Sequence, residues 1–178
     1  MDVDALLACT RCALAATRQR VVIGTGPRGA PLMVVGEAPG RHEDEGGEPF
    51  TGRSGQLLTR LIDEVVGLPR EAYFITNVVK CRPPQNRTPQ RAEIAACRPW
   101  FEEQLAFQGP SVVLAVGATA AKAVFDVTTP LREAHGHALL VNGVRGLVTY
   151  HPAAALRQGR IVEDMMRADL SVVREMLS

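Results

Sequence analysis

The sequence predicts an α/β protein, a three-layer α/β/α sandwich around a central, largely parallel four-stranded sheet. Three observations carry that prediction. Short apolar runs at 32–37, 72–79 and 111–117 alternate with stretches whose apolar residues recur at helical spacing. Each run carries at or near its end a residue that can turn the chain or do chemistry: Glu37 in Val34-Val35-Gly36-Glu37-Ala38-Pro39-Gly40, then Asn77, then Gly117. The chain, 178 residues and 46% hydrophobic, suits one domain over 1–178 with a full core, and it shows neither internal repeat nor linker.

Taken in order, residues 4 to 17 form a short helical pattern interrupted by Cys9-Thr10-Arg11-Cys12, and a glycine-rich polar stretch follows. After the first strand comes an acidic, glycine-rich loop from Arg41 to Gly52, and long loops inside compact domains are usually functional. Ser54 reads as the N-cap of a helix whose Leu57, Leu58, Leu61, Ile62, Val65 and Val66 share one face until Gly67 ends it. The second strand runs into Lys80-Cys81-Arg82-Pro83-Pro84-Gln85-Asn86-Arg87, a rigid loop. Thr88-Pro89 predicts a helix start with proline at the first position, continuing to about Gln108. Gly117-Ala118-Thr119 leads from the third strand straight into a helix. Val141-Asn142-Gly143-Val144 reads as a tight turn between two short strands, the second ending at Thr149-Tyr150-His151-Pro152, before a last amphipathic helix over 161–177. Strand ends then line a single cleft, which is where open α/β sheets bind ligands.

No stretch approaches the roughly 18 apolar residues of a membrane span, and the acidic start Met1-Asp2-Val3-Asp4 is unlike a basic signal-peptide start, so a cytoplasmic protein without membrane partners is expected. A net charge of +1 decides nothing, but all except two of the 20 basic residues are arginine. Clusters at Arg11, Arg18, Arg20, Arg28 and at Arg82, Arg87, Arg91, Arg98 fit a solvated face and a nucleic-acid surface equally well.

The four cysteines give a C-x2-C pair, Cys9 and Cys12, then Cys81 and Cys97 with 15 residues between them. One four-thiolate site would tie the N-terminal segment to the 89–108 helix, and zinc and an iron–sulfur cluster both accept such a set. Glu37, between an apolar strand and a Pro-Gly turn, is placed for general-base or electrostatic work; Glu43, Asp44 and Glu45 are weaker candidates for it, since such a stretch is more often a solvated charge run. Asn77 can present a donor and an acceptor side by side to a base edge. His151, stiffened by Pro152, can cap a helix or donate into the cleft, and Phe50 can pack or stack on a planar ligand.

Gly36-Glu37-Ala38-Pro39-Gly40, Glu43-Asp44, Gly47-x-Pro49-Phe50-x-Gly52, Thr76-Asn77-x-x-Lys80-Cys81-Arg82-Pro83-Pro84 and His151-Pro152-Ala153-Ala154 together resemble the uracil-DNA glycosylase superfamily over nearly the whole chain. The resemblance is specifically to its family-4 enzymes, which carry a [4Fe–4S] cluster. It implies a uracil-DNA glycosylase-like fold, Cys9, Cys12, Cys81 and Cys97 as ligands of a structural cluster, and uracil-containing DNA as the substrate of a monomer. Glu37 would be the base or oxocarbenium stabiliser, in a loop where family-1 enzymes put a catalytic aspartate at the place of Ala38. Gly36 and Ala38 would border the uracil, Phe50 would stack on it, and Asn77 would read its O4 and N3–H and reject cytosine. His151 would donate to uracil O2, Gly117-Ala118-Thr119 would grip phosphate through backbone N–H groups, and the 152–157 loop would enter the duplex with Leu156 and Arg157 as its wedge.

Thr51 and Ser54 stand where the family usually has valine and alanine, changes conservative in size. The basic, histidine-containing insertion of a related group that traps uracil-DNA covalently is absent from the loop 81–88, so turnover is expected to be hydrolytic. Two other classes fit parts of the pattern: a non-catalytic iron–sulfur or zinc protein that binds DNA, and a hydrolase of free nucleosides, which would not need Arg157 or the phosphate loop.

Overall fold

The computed structural model describes all residues from Met1 to Ser178. In chain order it has α1 (Val3–Leu7), β1 (Leu32–Gly36), α2 (Arg41–Gly46), α3 (Arg53–Val66), β2 (Phe74–Asn77), α4 (Arg91–Gln108), β3 (Val112–Val116), α5 (Ala118–Phe125), α6 (Leu131–Ala134), β4 (Ala138–Val141), β5 (Val144–Thr149), α7 (Pro152–Gln158) and α8 (Arg160–Leu177). Alternation within each strand divides the core. Met33 and Val35 face a cluster with Leu6, Trp100, Phe101, Ala120 and Phe125, while Leu32 and Val34 face Leu58, Leu61, Ile62, Met166 and Leu170. Thus α1, α4 and α5 cover one face of the sheet and α3, α7 and α8 the other.

The sheet has five strands in the order β2-β1-β3-β5-β4, not four. Strands β1, β2, β3 and β5 are parallel; β4 is added antiparallel at the edge, and the Asn142-Gly143 hairpin that joins it has both residues at positive φ, 52° and 79°. With its alternating exposed and half-buried pattern, β4 lacks the continuous apolar run that marks the inner strands. From β1 the chain crosses outward to β2 and then back past β1 to β3, so the strand order reverses between β1 and β3. That reversal opens a crevice at the carboxyl ends of the two strands.

Helix ends depart from the sequence prediction in two places. Gly52, not Ser54, caps α3, leaving Ser54 inside the first turn. Helix α4 starts at Arg91 rather than at Pro89, because Gln90 and Glu93 form a capping box that satisfies the first donors. The acidic loop after β1 contains α2, and two of its carboxylates, Glu43 and Asp44, are buried rather than solvated. Glu43 is 9% and Asp44 1% exposed; Asp44 Oδ1 accepts the backbone N–H of Gln19 at 2.9 Å and of Arg20 at 3.3 Å, pinning the N-terminal segment to this loop. Glu45 stays at the surface, paired with Arg41, and Glu48 is exposed as well. No helix is long and apolar enough to cross a membrane.

Candidate active site

Because four strands run parallel, their carboxyl ends share one edge, and the residues that follow them stand in the order Asn77, Glu37, Gly117, His151. Neighbouring strands lie about 4.8 Å apart, which puts roughly 10 Å between the ends of β1 and β5. A cavity of about 400 Å³ opens there, lined by Glu37, Ala38, Phe50, Asn77, His151 and Arg157 among others.

Glu37 leaves β1 at the crevice, and its Oε2 accepts the Thr119 hydroxyl across it at 2.5 Å. Oε1 makes no such bond and is left for the cavity. Thr119 therefore serves the carboxylate through its side chain. Gly117, whose N–H donates to Thr149 O at 2.9 Å, has no free donor for a phosphate. Of the three residues expected to grip phosphate, Ala118 and Thr119 retain the unpaired first N–H groups of α5.

The floor depends on Gly36. A Cβ there would lie 2.4 Å from Asn77 Oδ1 and 2.5 Å from Phe50 Cζ, so a residue without a side chain is what allows ring and carboxamide to meet. Phe50 itself sits at φ 59°, uncommon for a bulky residue, and its backbone is pressed against Gly55, where a Cβ would come within 1.9 Å of Phe50 O. Asn77 is 3% exposed; Lys80 Nζ holds its carbonyl at 2.7 Å, but its carboxamide has no protein partner.

His151 caps α7: Nδ1 accepts the Ala153 N–H at 3.2 Å, so the neutral ring carries its proton on Nε2. Burial, with the Arg157 charge second, pushes its pKa below the ordinary histidine value, against a smaller upward pull from Glu43. The neutral donor is therefore the resting form. Residues 152–157, expected as a loop, lie within α7, because Pro152 at the first helical position and the His151 cap favour a helix there. Arg157 lines the cavity, while Leu156 is 47% exposed on the outside of the same helix.

Sequence reasoning missed the wall built from Ser54, Pro83, Asn86 and Arg87. Gln85 and Asn86 both adopt positive φ, and Arg82 Nε donates to Asn86 Oδ1 at 2.6 Å. Arg87 grips the nearly buried Glu93 through both terminal nitrogens, at 2.7 and 2.8 Å, which ties this wall to the start of α4 and holds the Glu93 carboxyl below its usual range. The Pro83-Pro84 pair signalled a rigid loop, but nothing local said that it turns toward the cleft. Glu43 also lines the cavity, with Oε1 accepting the Gly52 N–H at 3.2 Å.

On the far side of β2 the four cysteines border one small space with Arg11, Arg18, Lys80 and Trp100. Three N–H groups point at sulfur: Trp100 Nε1 to Cys9 at 3.3 Å, the Lys80 main chain to Cys97 at 3.4 Å and Arg18 to Cys81 at 3.5 Å. Burial pushes the Cys97 thiol up and the Cys81 thiol to about 11. A group that holds these sulfurs as thiolates must therefore overcome that burial, and the surrounding cations and N–H donors favour it.

The description of the uracil DNA glycosylase superfamily matches residues 23–171. The chain belongs to that superfamily. Within it, the type-4 uracil-DNA glycosylase of Saccharolobus solfataricus is 40% identical over 183 residues, 98% of this chain and 84% of that protein. The type-4 uracil-DNA glycosylase of Thermotoga maritima is 38% identical over 175 residues, 94% and 91% of the two chains. A type-5 uracil-DNA glycosylase of Pyrobaculum aerophilum is 35% identical over 145 residues, 72% of this chain and 63% of its own. The superfamily match begins after Cys9 and Cys12 and contains the whole cleft, so the cleft is the superfamily's part of the chain. The N-terminal thiols lie before that match and inside the similarity to the Saccharolobus solfataricus type-4 enzyme, which spans 98% of this chain.

Proposed function

We propose that the chain removes uracil from DNA for base excision repair: it turns the uracil nucleotide out of the helix and hydrolyses the C1′–N1 bond, leaving an abasic site. The whole chain is the glycosylase domain and works as a monomer. The observation that carries this reading is the meeting of the unpartnered Asn77 carboxamide and the Phe50 ring over Gly36, in the cavity that also holds Glu37 and His151.

A base in a duplex is out of reach, and extruding it costs a few kcal/mol, least at a G·U mismatch. Leu156 and Arg157, at the rim on α7, fill the vacated stack. Phe50 stacks on the uracil ring; Asn77 accepts N3–H and donates to O4, an order of donor and acceptor that cytosine reverses. As the C1′–N1 bond breaks, its electron pair passes to the base, and the neutral His151 donates from Nε2 to uracil O2, where negative charge collects. Positive charge forms on the sugar. Glu37 faces it through Oε1, orients the attacking water and takes its proton, while the Thr119 hydroxyl holds the other carboxylate oxygen in place.

Cys9, Cys12, Cys81 and Cys97 hold a [4Fe–4S] cluster. The N–H donors aimed at three of the sulfurs support a shared thiolate-bound group, and the similarity to type-4 glycosylases across the cysteine-bearing segments supports the cluster over zinc. When bound, the cluster supplies a four-thiolate cross-link between the N-terminal segment, the loop after β2 and α4.

The test is alkali-labile cleavage of a uracil-containing oligonucleotide by purified protein whose iron content and visible spectrum have been recorded. A brown protein that leaves abasic sites at uracil is the expected result. Brown protein that binds DNA and releases no base would mean a non-catalytic DNA-binding protein, and a colourless zinc protein would overturn the cluster.

A further inference from the structure

A buried lysine lies between the cysteine site and the base-reading asparagine. Lys80 is 1% exposed, and its Nζ donates to acceptors on two separate elements: Thr76 Oγ1 at 2.7 Å and Asn77 O at 2.7 Å at the end of β2, and Gln104 Oε1 at 2.6 Å on α4. The partners are fixed in their roles. The Thr76 hydroxyl and the Gln104 amide both donate to Ile23 O, at 2.7 and 2.9 Å, so toward the lysine each can only accept. Three acceptors use the three N–H bonds of an ammonium. At its other end the Lys80 N–H donates to Cys97 Sγ at 3.4 Å, its carbonyl accepts the Val22 N–H at 2.8 Å, and the next residue is Cys81. Lys80 does not line the cavity, and the chemistry above gives it no task.

We propose that Lys80 is a positioning residue for uracil recognition, joining the cysteine site to the strand end and setting the angle at which the Asn77 carboxamide meets the base. The proposal rests on Asn77 reading uracil. Because that carboxamide has no partner of its own in the protein, its aim is inherited from the main chain of residues 76 and 77, and Lys80 Nζ is the side chain that clamps both residues. Removing it strands a carbonyl, a hydroxyl and an amide oxygen in the core, and the end of β2 shifts to find substitutes. A displacement of about 1 Å at a reading group is enough to cost roughly 100-fold in rate.

The experiment compares the parent, Lys80→Met, Asn77→Ala and the double variant, recording iron content, visible absorbance, kcat/KM on a uracil oligonucleotide and inhibition by free uracil. Lys80→Met keeps the length and apolar stem and removes the three donors. It is expected to keep the parent absorbance, to lose roughly 10- to 100-fold in kcat/KM, and to be inhibited less by free uracil. The double variant is expected to be no slower than Asn77→Ala, because Lys80 acts through Asn77. Losses that multiply, or parent-like inhibition by uracil, overturn the proposal and leave Lys80 a packing residue. If Lys80→Met does not retain its iron, Gln104→Leu decides in its place: it leaves the lysine and takes away the acceptor that aims it. The same non-additive loss with Asn77→Ala supports the proposal, and unchanged uracil inhibition overturns it. A parent that excises no uracil, or an Asn77→Ala variant as fast as the parent, instead brings down the functional reading itself.

Discussion

Thr119 donates its hydroxyl to Glu37 Oε2 at 2.5 Å, a bond between residues 82 apart in sequence that closes the crevice between β1 and β3. It fixes one carboxylate oxygen and so selects the other for the cavity. Thr119→Val is expected to lower kcat roughly tenfold with KM little changed, because the carboxylate remains but turns freely, while Glu37→Gln is expected to lose about 10²- to 10⁴-fold. Single-turnover excision of uracil measures both. Equal rates for parent and Thr119→Val would show that the hydroxyl does not orient Glu37.

Burial keeps His151 neutral at pH values where an ordinary histidine begins to charge. The folded state therefore binds this proton less readily than the unfolded chain. The associated stability is whole above the unfolded value of about 6.5 and is lost as pH falls through that value toward the folded one. An NMR titration of His151 is expected to give a midpoint below 6.5. In Arg157→Ala, which removes a neighbouring positive charge, the midpoint should move upward. His151→Ala is expected to lower kcat about 10²- to 10³-fold.

Gly36 and Gly55 support Phe50 in different ways, and alanine should separate them. At Gly36 the added Cβ meets the ends of two side chains, Asn77 Oδ1 at 2.4 Å and Phe50 Cζ at 2.5 Å, which can swing away. Gly36→Ala is therefore expected to fold with nearly the parent Tm and to lose uracil excision by roughly 100-fold. At Gly55 the Cβ meets Phe50 O at 1.9 Å, and backbone cannot swing, so Gly55→Ala is expected to lower the Tm as well. Thermal denaturation alongside excision assays distinguishes the two.

Asp44 is a structural carboxylate. Asp44→Ala leaves the N–H groups of Gln19 and Arg20 without their acceptor, and urea denaturation is expected to show a loss of about 2–3 kcal/mol. Asp44→Asn keeps an acceptor and should lose less. A stability unchanged in Asp44→Ala would return this residue to the solvated charge run that its neighbours suggest.

How much of this was legible in the chain differs between levels. The apolar runs at 32–37 and 111–117 and the Leu57–Val66 periodicity are local signals, and they became β1, β3 and α3 because burial on both faces of a parallel strand, and on one face of a helix, leaves its period in the sequence. The edge strand β4 was blurred because one of its faces is wet. Cap positions slipped by two residues: α3 begins after Gly52 without a side-chain cap, and the Gln90–Glu93 box, rather than the nearest Thr, satisfies the first turn of α4.

The sequence by itself determined the chemistry that could be assembled: one carboxylate after an apolar strand, an amide, a neutral-capable histidine, and four cysteines at spacings that suit a shared site. It also carried the motifs by which the chain belongs to its superfamily. Only the tertiary structure decided which of these meet and what each is free to do. Thr119 gained a side-chain bond to Glu37 beside its backbone donor, Asp44 turned from surface charge to buried acceptor, and Lys80, a residue of the Thr76–Pro84 motif with no assigned task, came to hold the Asn77 carbonyl. The reason is physical. A residue's type is local information, whereas its burial and its hydrogen-bond partners are set by segments tens of residues away that the sheet order brings to the same edge.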